Sequence, residues 1–297
     1  MSRSPVTALF EGVTDQAILS FMKVALKAHA SLAHSDEVWY RGQANRDWNL
    51  LPGLFRSGKA ASQEERAYRE WIRRAELIEK PEENEWNHLF NMQHYGVPTR
   101  LLDWTESFAV AVGFSLVFSN FGETSVPRVF ILDPRSLNKK TTGRDRVFEI
   151  PEDKTISYRQ TYLEGRGIMP TGPVAVRPSI YTVSNRRADN QAGVFTIHDN
   201  SGQPVDAQPK SIVTSFTIEK RQIPGARLFL KLSNVNAYTI YPDFGGLAGV
   251  HPGNAHEREQ IDRVFRTANQ TVLPPRRRGC REWAACCRGL WEKRASL

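Results

Sequence analysis

Cysteine is nearly absent from this chain of 297 residues. The three that occur, Cys280, Cys286 and Cys287, all lie in the last 22 residues. A body without cysteine has no disulfide framework, no thiol nucleophile and no thiolate metal cage. That usage is expected of a protein of the reducing cytoplasm. Long apolar runs are missing as well. The longest, Phe108 to Phe118, contains Gly113 and Ser115 and falls short of the roughly 18 residues of a membrane span, so no membrane partner is expected. The first fifteen residues lack the charged-then-apolar order of a signal peptide. Several catalytic signatures are also missing: the P-loop, Gly-x-Gly-x-x-Gly after a strand, His-Glu-x-x-His and Gly-x-Ser-x-Gly.

What is present describes a globular chain. Apolar residues make up 40%, charged residues 24% and aromatics 10%, too many aromatics for wholesale disorder. The net charge is +8, but residues 276 to 297 carry +5 of it and the first 275 residues only +3. Binding of nucleic acid through overall charge would therefore rest mostly on the tail.

Periodicity predicts helices at Thr14–Ala30, Ser62–Glu79 (with Ser62 and Glu65 spaced as a capping box), Asn84–Tyr95 and Ser107–Phe118. The last is apolar nearly all round, as a buried helix is. Val38 to Tyr40 reads as a short strand ended by Arg41 and Gly42. After residue 120 short β-branched or aromatic segments follow: 129–132, 147–150, 174–176, 194–197 and 212–218. A closing helix is expected at Pro224–Leu232 and a last strand at Tyr238–Tyr241. Helices followed by strands predict an α+β fold, a helix-rich N-terminal part packed on a mostly antiparallel β-rich C-terminal part in a single domain. The organisation expected is a helical lead-in at 1–37, the domain at 38–250, an extension at 251–275, and a basic tail with cysteine and tryptophan at 276–297 that reads as disordered.

Two polar stretches stand out. The first is Trp39-Tyr40-Arg41-Gly42-Gln43, where an arginine at a strand end needs a partner or water and Gly42 permits close approach of a backbone or ligand. The bland alternative is an arginine paired with a carboxylate. The second runs from Gln93 to Ser107 and is expected to be a loop between two helices, holding His94, Tyr95, Thr99, Arg100, Asp103, Trp104, Thr105 and Ser107. There too a structural role competes: Asp103 can pair with Arg100, Thr105 or Ser107 can cap the buried helix, and His94 can satisfy helix carbonyls.

On these residues the chain resembles the FRG domain family. The matching stretches are Tyr40-Arg41-Gly42-Gln43, the run from Gln93 to Thr105, Asn190 to His198, and Tyr241 to Ala248. The resemblance implies a bacterial, phage-associated protein with a defence or toxin-like role. The first motif is also similar to that of ADP-ribosyltransferases. That likeness implies NAD or another nucleotide as substrate, with Arg41 gripping the diphosphate. Tyr40, Gly42, Tyr95, Thr99, Arg100, Trp104, Thr105 and Ser107 would then line the cofactor pocket, and Arg41, Asp103, His94 and Gln191 would serve catalysis. No metal is implied. The Gln/Glu-x-Glu of that class is missing. Asn190-Gln191-Ala192 stands near its place, and Asp189, Glu219 and Asp103 are the substitute acids.

Three other readings compete. A hydrolase would use His94 or His198 with Asp103 as orienter. A metal site would need His88, His94 and Asp103, yet two histidines six apart lie on opposed helix faces. A non-catalytic module would bind a nucleotide, or nucleic acid through Arg73, Arg74, Arg100, Arg186, Arg187 and the tail.

Overall fold

A computed structural model describes residues 15–32, 34–56, 61–75, 77, 84–117, 126–179 and 192–240. The candidates Asp189, Asn190, Gln191, Arg186 and Arg187, the Tyr241 to Ala248 motif, the extension and the tail lie outside them.

The helices are α1 (Asp15–Ala30), α2 (Gly53–Arg56), α3 (Ala61–Ala75), α4 (Glu85–His94), α5 (Phe108–Val117), α6 (Pro134–Thr142), α7 (Ile223–Leu232) and α8 (Ala237–Ile240). The strands are β1 (Trp39–Gln43), β2 (Leu101–Thr105), β3 (Arg128–Leu132), β4 (Phe148–Ile150), β5 (Val174–Pro178), β6 (Gly193–Ile197) and β7 (Val213–Thr217). They form one sheet in the order β4-β5-β6-β2-β1-β3-β7. Only β4 and β5 run parallel; the other neighbouring pairs are antiparallel. The fold is α+β, with a mostly antiparallel sheet.

Local chemistry explains the elements. Asn84 caps α4 by accepting the Trp86 N–H at 2.9 Å, and Gly96, at φ 77°, ends it in the left-handed region. Ser107 accepts the Val110 N–H at 3.3 Å and opens α5. α3 begins at Ala61, one residue before the predicted cap. Sequence reading missed α6, although it is well signalled: Asp133 accepts the Ser136 N–H, Pro134 occupies the first turn and Gly143 closes it at positive φ. The expected last strand is instead helical over Ala237–Ile240, because Asn236 accepts the N–H groups of Tyr238 and Thr239 and starts a turn. A π-helical turn, Tyr158–Leu163, is held at its start by Glu85, which accepts the N–H groups of Tyr158 and Arg159.

The largest departure is β2. The run Leu101-Leu102-Asp103-Trp104-Thr105 is not a loop but the central strand of the sheet. It pairs with β6 from Leu101↔Ile197 to Thr105↔Gly193. A strand buried on both faces shows no clean alternation, and its polar residues resembled a loop. β1 likewise runs on through Arg41 and Gly42 to Gln43.

Residues paired across strands share a face. On one face Tyr40, Val129, Ile131 and Phe216 pack with α1, α5 and α7. Further along the same face Leu101, Val174, Val176 and Ile197 pack with α3, α4 and the π-helix. The opposite face carries Trp39, Leu102, Trp104, Phe130 and Val194 against Leu137 of α6 and the segments around Leu50 and Val205. The first face is thus covered by two separate helical groups, and Asp103 stands between them.

Candidate functional site

Asp103 is the one exposed position of β2, with its neighbours on either side buried. Its side chain is 54% exposed although β2 is the middle strand of seven. A carboxylate left accessible there marks a cleft in the helical layer, floored by the sheet.

Arg41, whose pairing with Phe130 starts it on the opposite face, reaches Asp103 with its guanidinium. β1 and β2 pair at a single position, Tyr40↔Thr105, whereas β1 and β3 pair along all of β1. Where the ladder with β2 stops, Nη1 of Arg41 donates to the Asp103 carbonyl at 2.6 Å and lies 3.8 Å from its Oδ2. Burial pulls the Arg41 pKa down, the Asp103 charge opposes that, and the charge of Arg56 adds to it. Nη2 makes no hydrogen bond among the described residues. Arg56 ends α2, which is tied to this region by the Leu54 N–H donating to the Thr99 carbonyl at 3.0 Å. Arg56 is exposed and has no ion-pair partner among the described residues. The Arg56 charge lies near enough to bear on Arg41, which is itself beside Asp103, so the region holds more positive than negative charge, as suits an anion.

Gln93 and Thr99 complete the group. Nε2 of Gln93 donates to Asp103 Oδ2 at 2.8 Å, and Thr99 Oγ1 donates to Gln93 Oε1 at 2.5 Å. The flat wall beside Asp103 is Phe195, its partner across β6, which stacks on Phe90 of α4 with ring centroids 5.0 Å apart. Phe90 and Gln93, three residues apart, share one face of α4.

Other predicted residues serve the framework. Arg100 is fully buried, bonded to Glu64 at 2.7 Å and to the carbonyl of His198 at 2.9 Å, with its guanidinium over the Tyr162 ring. The expectation that it lines the pocket, or touches phosphate, is corrected: it holds the core, and it pairs with Glu64 rather than with Asp103. Trp104 is buried on the opposite face, where Nε1 donates to Thr196 Oγ1 at 3.1 Å, so it is no wall of the cleft. Thr105 Oγ1 accepts the Ser107 N–H at 3.0 Å, and Ser107 caps α5; both act in the turn before the helix. Tyr95 is exposed and packs against Trp71 of α3. Tyr40 is buried against Phe108. His94 meets the Tyr95 ring edge-on at 4.9 Å.

Gly42 lets a backbone approach, not a ligand. A Cβ there would lie 1.9 Å from the carbonyl oxygen of Ala111 in α5. His198 is fully buried and burial depresses its pKa to about 3, so it stays neutral and cannot relay protons at neutral pH. Glu219 is occupied in capping the turn before α7 and accepting from Thr217. Glu106 joins Glu37 and Glu149 around Arg177. Arg73 and Arg74 are both paired with Glu70, which reduces their value for phosphate. A groove of about 290 Å³ between α3 and the π-helix, lined by Tyr68, Ile72, Arg159 and Leu163, lies away from Arg41.

Sequence reading thus found Arg41, Asp103 and Thr99. Gln93 was inside the quoted motif without a role, and Arg56, Phe90 and Phe195 were missed. Only the partnership of Phe195 with Asp103, a register property, could have singled it out. No helix among the described residues is long and apolar enough to cross a membrane. No curated protein and no solved structure matches the chain. The FRG domain model matches residues 36–120, which span β1, α4, β2 and α5, and the chain accordingly carries an FRG domain there.

Proposed function

We propose that the Arg41–Asp103 cleft binds NAD or a related nucleotide and transfers its ADP-ribose part. The observation that carries this reading is an accessible carboxylate on the central strand with an arginine fork beside it and a second arginine nearby. Arg41 and Arg56 take the diphosphate, whose oxygens suit planar donors. Asp103 accepts a ribose hydroxyl and opposes the positive charge that develops as the glycosidic bond opens. The C1′–N bond breaks with its electron pair leaving on nicotinamide, which becomes neutral. An acceptor nucleophile or water then bonds to C1′ and releases a proton. Phe195 offers a face for a flat ring. The acceptor, and the defence or toxin-like role in a bacterial cytoplasm that the family resemblance implies, belong to the same proposal.

Incubation with NAD labelled in the adenosine part tests it. Released nicotinamide, or label on a macromolecule, is expected from the wild type and at least tenfold less from Arg41→Ala. Full turnover by Arg41→Ala would refute the site. Binding of NAD without release would leave the non-catalytic module as the function, a reading favoured by the fact that Asp103 is already engaged by Arg41 and Gln93.

A further inference from the structure

Asp103 does not stand alone in the cleft; it is the end of a hydrogen-bond chain with a fixed direction. The chain starts at the Leu101 N–H, which can only donate, and does so to Thr99 Oγ1 at 3.1 Å. Thr99 in turn donates its hydroxyl proton to Gln93 Oε1 at 2.5 Å. The Gln93 amide is thereby oriented with its NH₂ toward the sheet, and Nε2 donates to Asp103 Oδ2 at 2.8 Å. The reverse orientation would set the amide oxygen against a carboxylate oxygen, two acceptors with no proton between them. The anchor is rigid, since Thr99 is fully buried and sits two residues before the first residue of β2. Gln93 is in the last turn of α4. Arg41 holds the other side of Asp103 through its backbone carbonyl. Oδ1 makes no hydrogen bond among the described residues.

We infer that Gln93, oriented by Thr99, is a positioning residue that holds Asp103 with Oδ1 presented to a ligand hydroxyl. The inference rests on the reading of the cleft as a nucleotide site and assigns its parts: the two arginines take the diphosphate, and the Gln93–Asp103 pair takes the ribose. A ligand with diphosphate but no ribose would be blind to Gln93. A ligand with both would not.

Calorimetric titration of the full chain with NAD and with pyrophosphate separates these parts. The wild type is expected to bind both, and Arg41→Ala neither. Gln93→Met keeps the length of the side chain and removes the donating NH₂ without adding a charge. It is expected to weaken NAD about tenfold or more while changing pyrophosphate less than twofold. Thr99→Val should weaken NAD in the same direction, and Thr99→Ser, which keeps the hydroxyl, should restore it. Equal loss of both ligands in Gln93→Met would make Gln93 a general structural residue and overturn the inference. So would unchanged NAD binding in that variant. A wild type that binds neither ligand would overturn the nucleotide reading itself, and the positioning role with it.

Discussion

Arg41 and Arg100 begin as equivalent candidates, two arginines in neighbouring motifs, and end in opposite situations. Arg41 lies where a strand ladder runs out, with one amino group bonded and another uncommitted. Arg100 is enclosed with Glu64, both at zero exposure. Removing one member of such a pair leaves a buried charge without compensation, which costs about 3–5 kcal/mol. Arg100→Met is therefore expected to lower stability by that amount in urea unfolding, and Arg100→Met with Glu64→Leu to recover much of it. Neither change touches a group that faces the cleft. If Arg100→Met unfolds at the wild-type urea midpoint, the pair does not anchor the core.

At the scale of elements, the placing of α5 against β1 decides whether the cleft exists. Gly42 is the contact point, and α5 lies so close that a methyl group would collide with the backbone at Ala111 and Ser115. Backbone cannot yield as a side-chain tip can. Gly42→Ala is expected to destabilise the fold by more than about 2 kcal/mol, seen as a clear drop in melting temperature. It should also disturb Arg41, the adjacent residue. A variant that melts with the wild type would show that α5 does not press on β1. The aromatic-Arg-Gly motif thus combines two tasks: the arginine reaches the cleft, and the glycine admits the helix that leaves the cleft open beside it.

Across the whole molecule, pH acts on the fold through His198. Its pKa falls from 6.5 to about 3 on burial. Below its unfolded value the unfolded chain takes up a proton that the native state refuses, so stability falls as pH drops from about 6.5 towards about 3. The slope approaches about 1.4 kcal/mol per pH unit. Between pH 7 and 5.5, above the range in which Asp145 and Asp153, both with lowered pKa values, take up protons, the urea midpoint of the wild type should fall. In His198→Gln that dependence should be weaker. Identical pH dependence in the two proteins would refute the assignment. The buried neutral imidazole also explains why a histidine inside a quoted motif serves the core and not the chemistry.

Much of this was legible in one dimension. Periodicity located α1, α3, α4, α5 and α7, and β-branched runs located β3 to β7, since each of those segments has one face to bury or a short run to hide. The motif spacing singled out Arg41, Thr99 and Asp103. Two things at the cleft itself were not legible. One was β2, because a strand buried on both faces loses its alternation, and because its single exposed residue resembles a loop residue. The other was which polar residues share the cleft. Gln93 and Phe195 meet Asp103 from two separate elements, while Arg56 acts on Arg41 and Phe90 stacks on Phe195; the directions of these side chains follow from strand register and helix placement. Local sequence fixes which segments become helix or strand through short-range preferences. Whether a given arginine ends in the core or in the cleft depends on long-range packing, and that only the assembled sheet and its two helical groups decided.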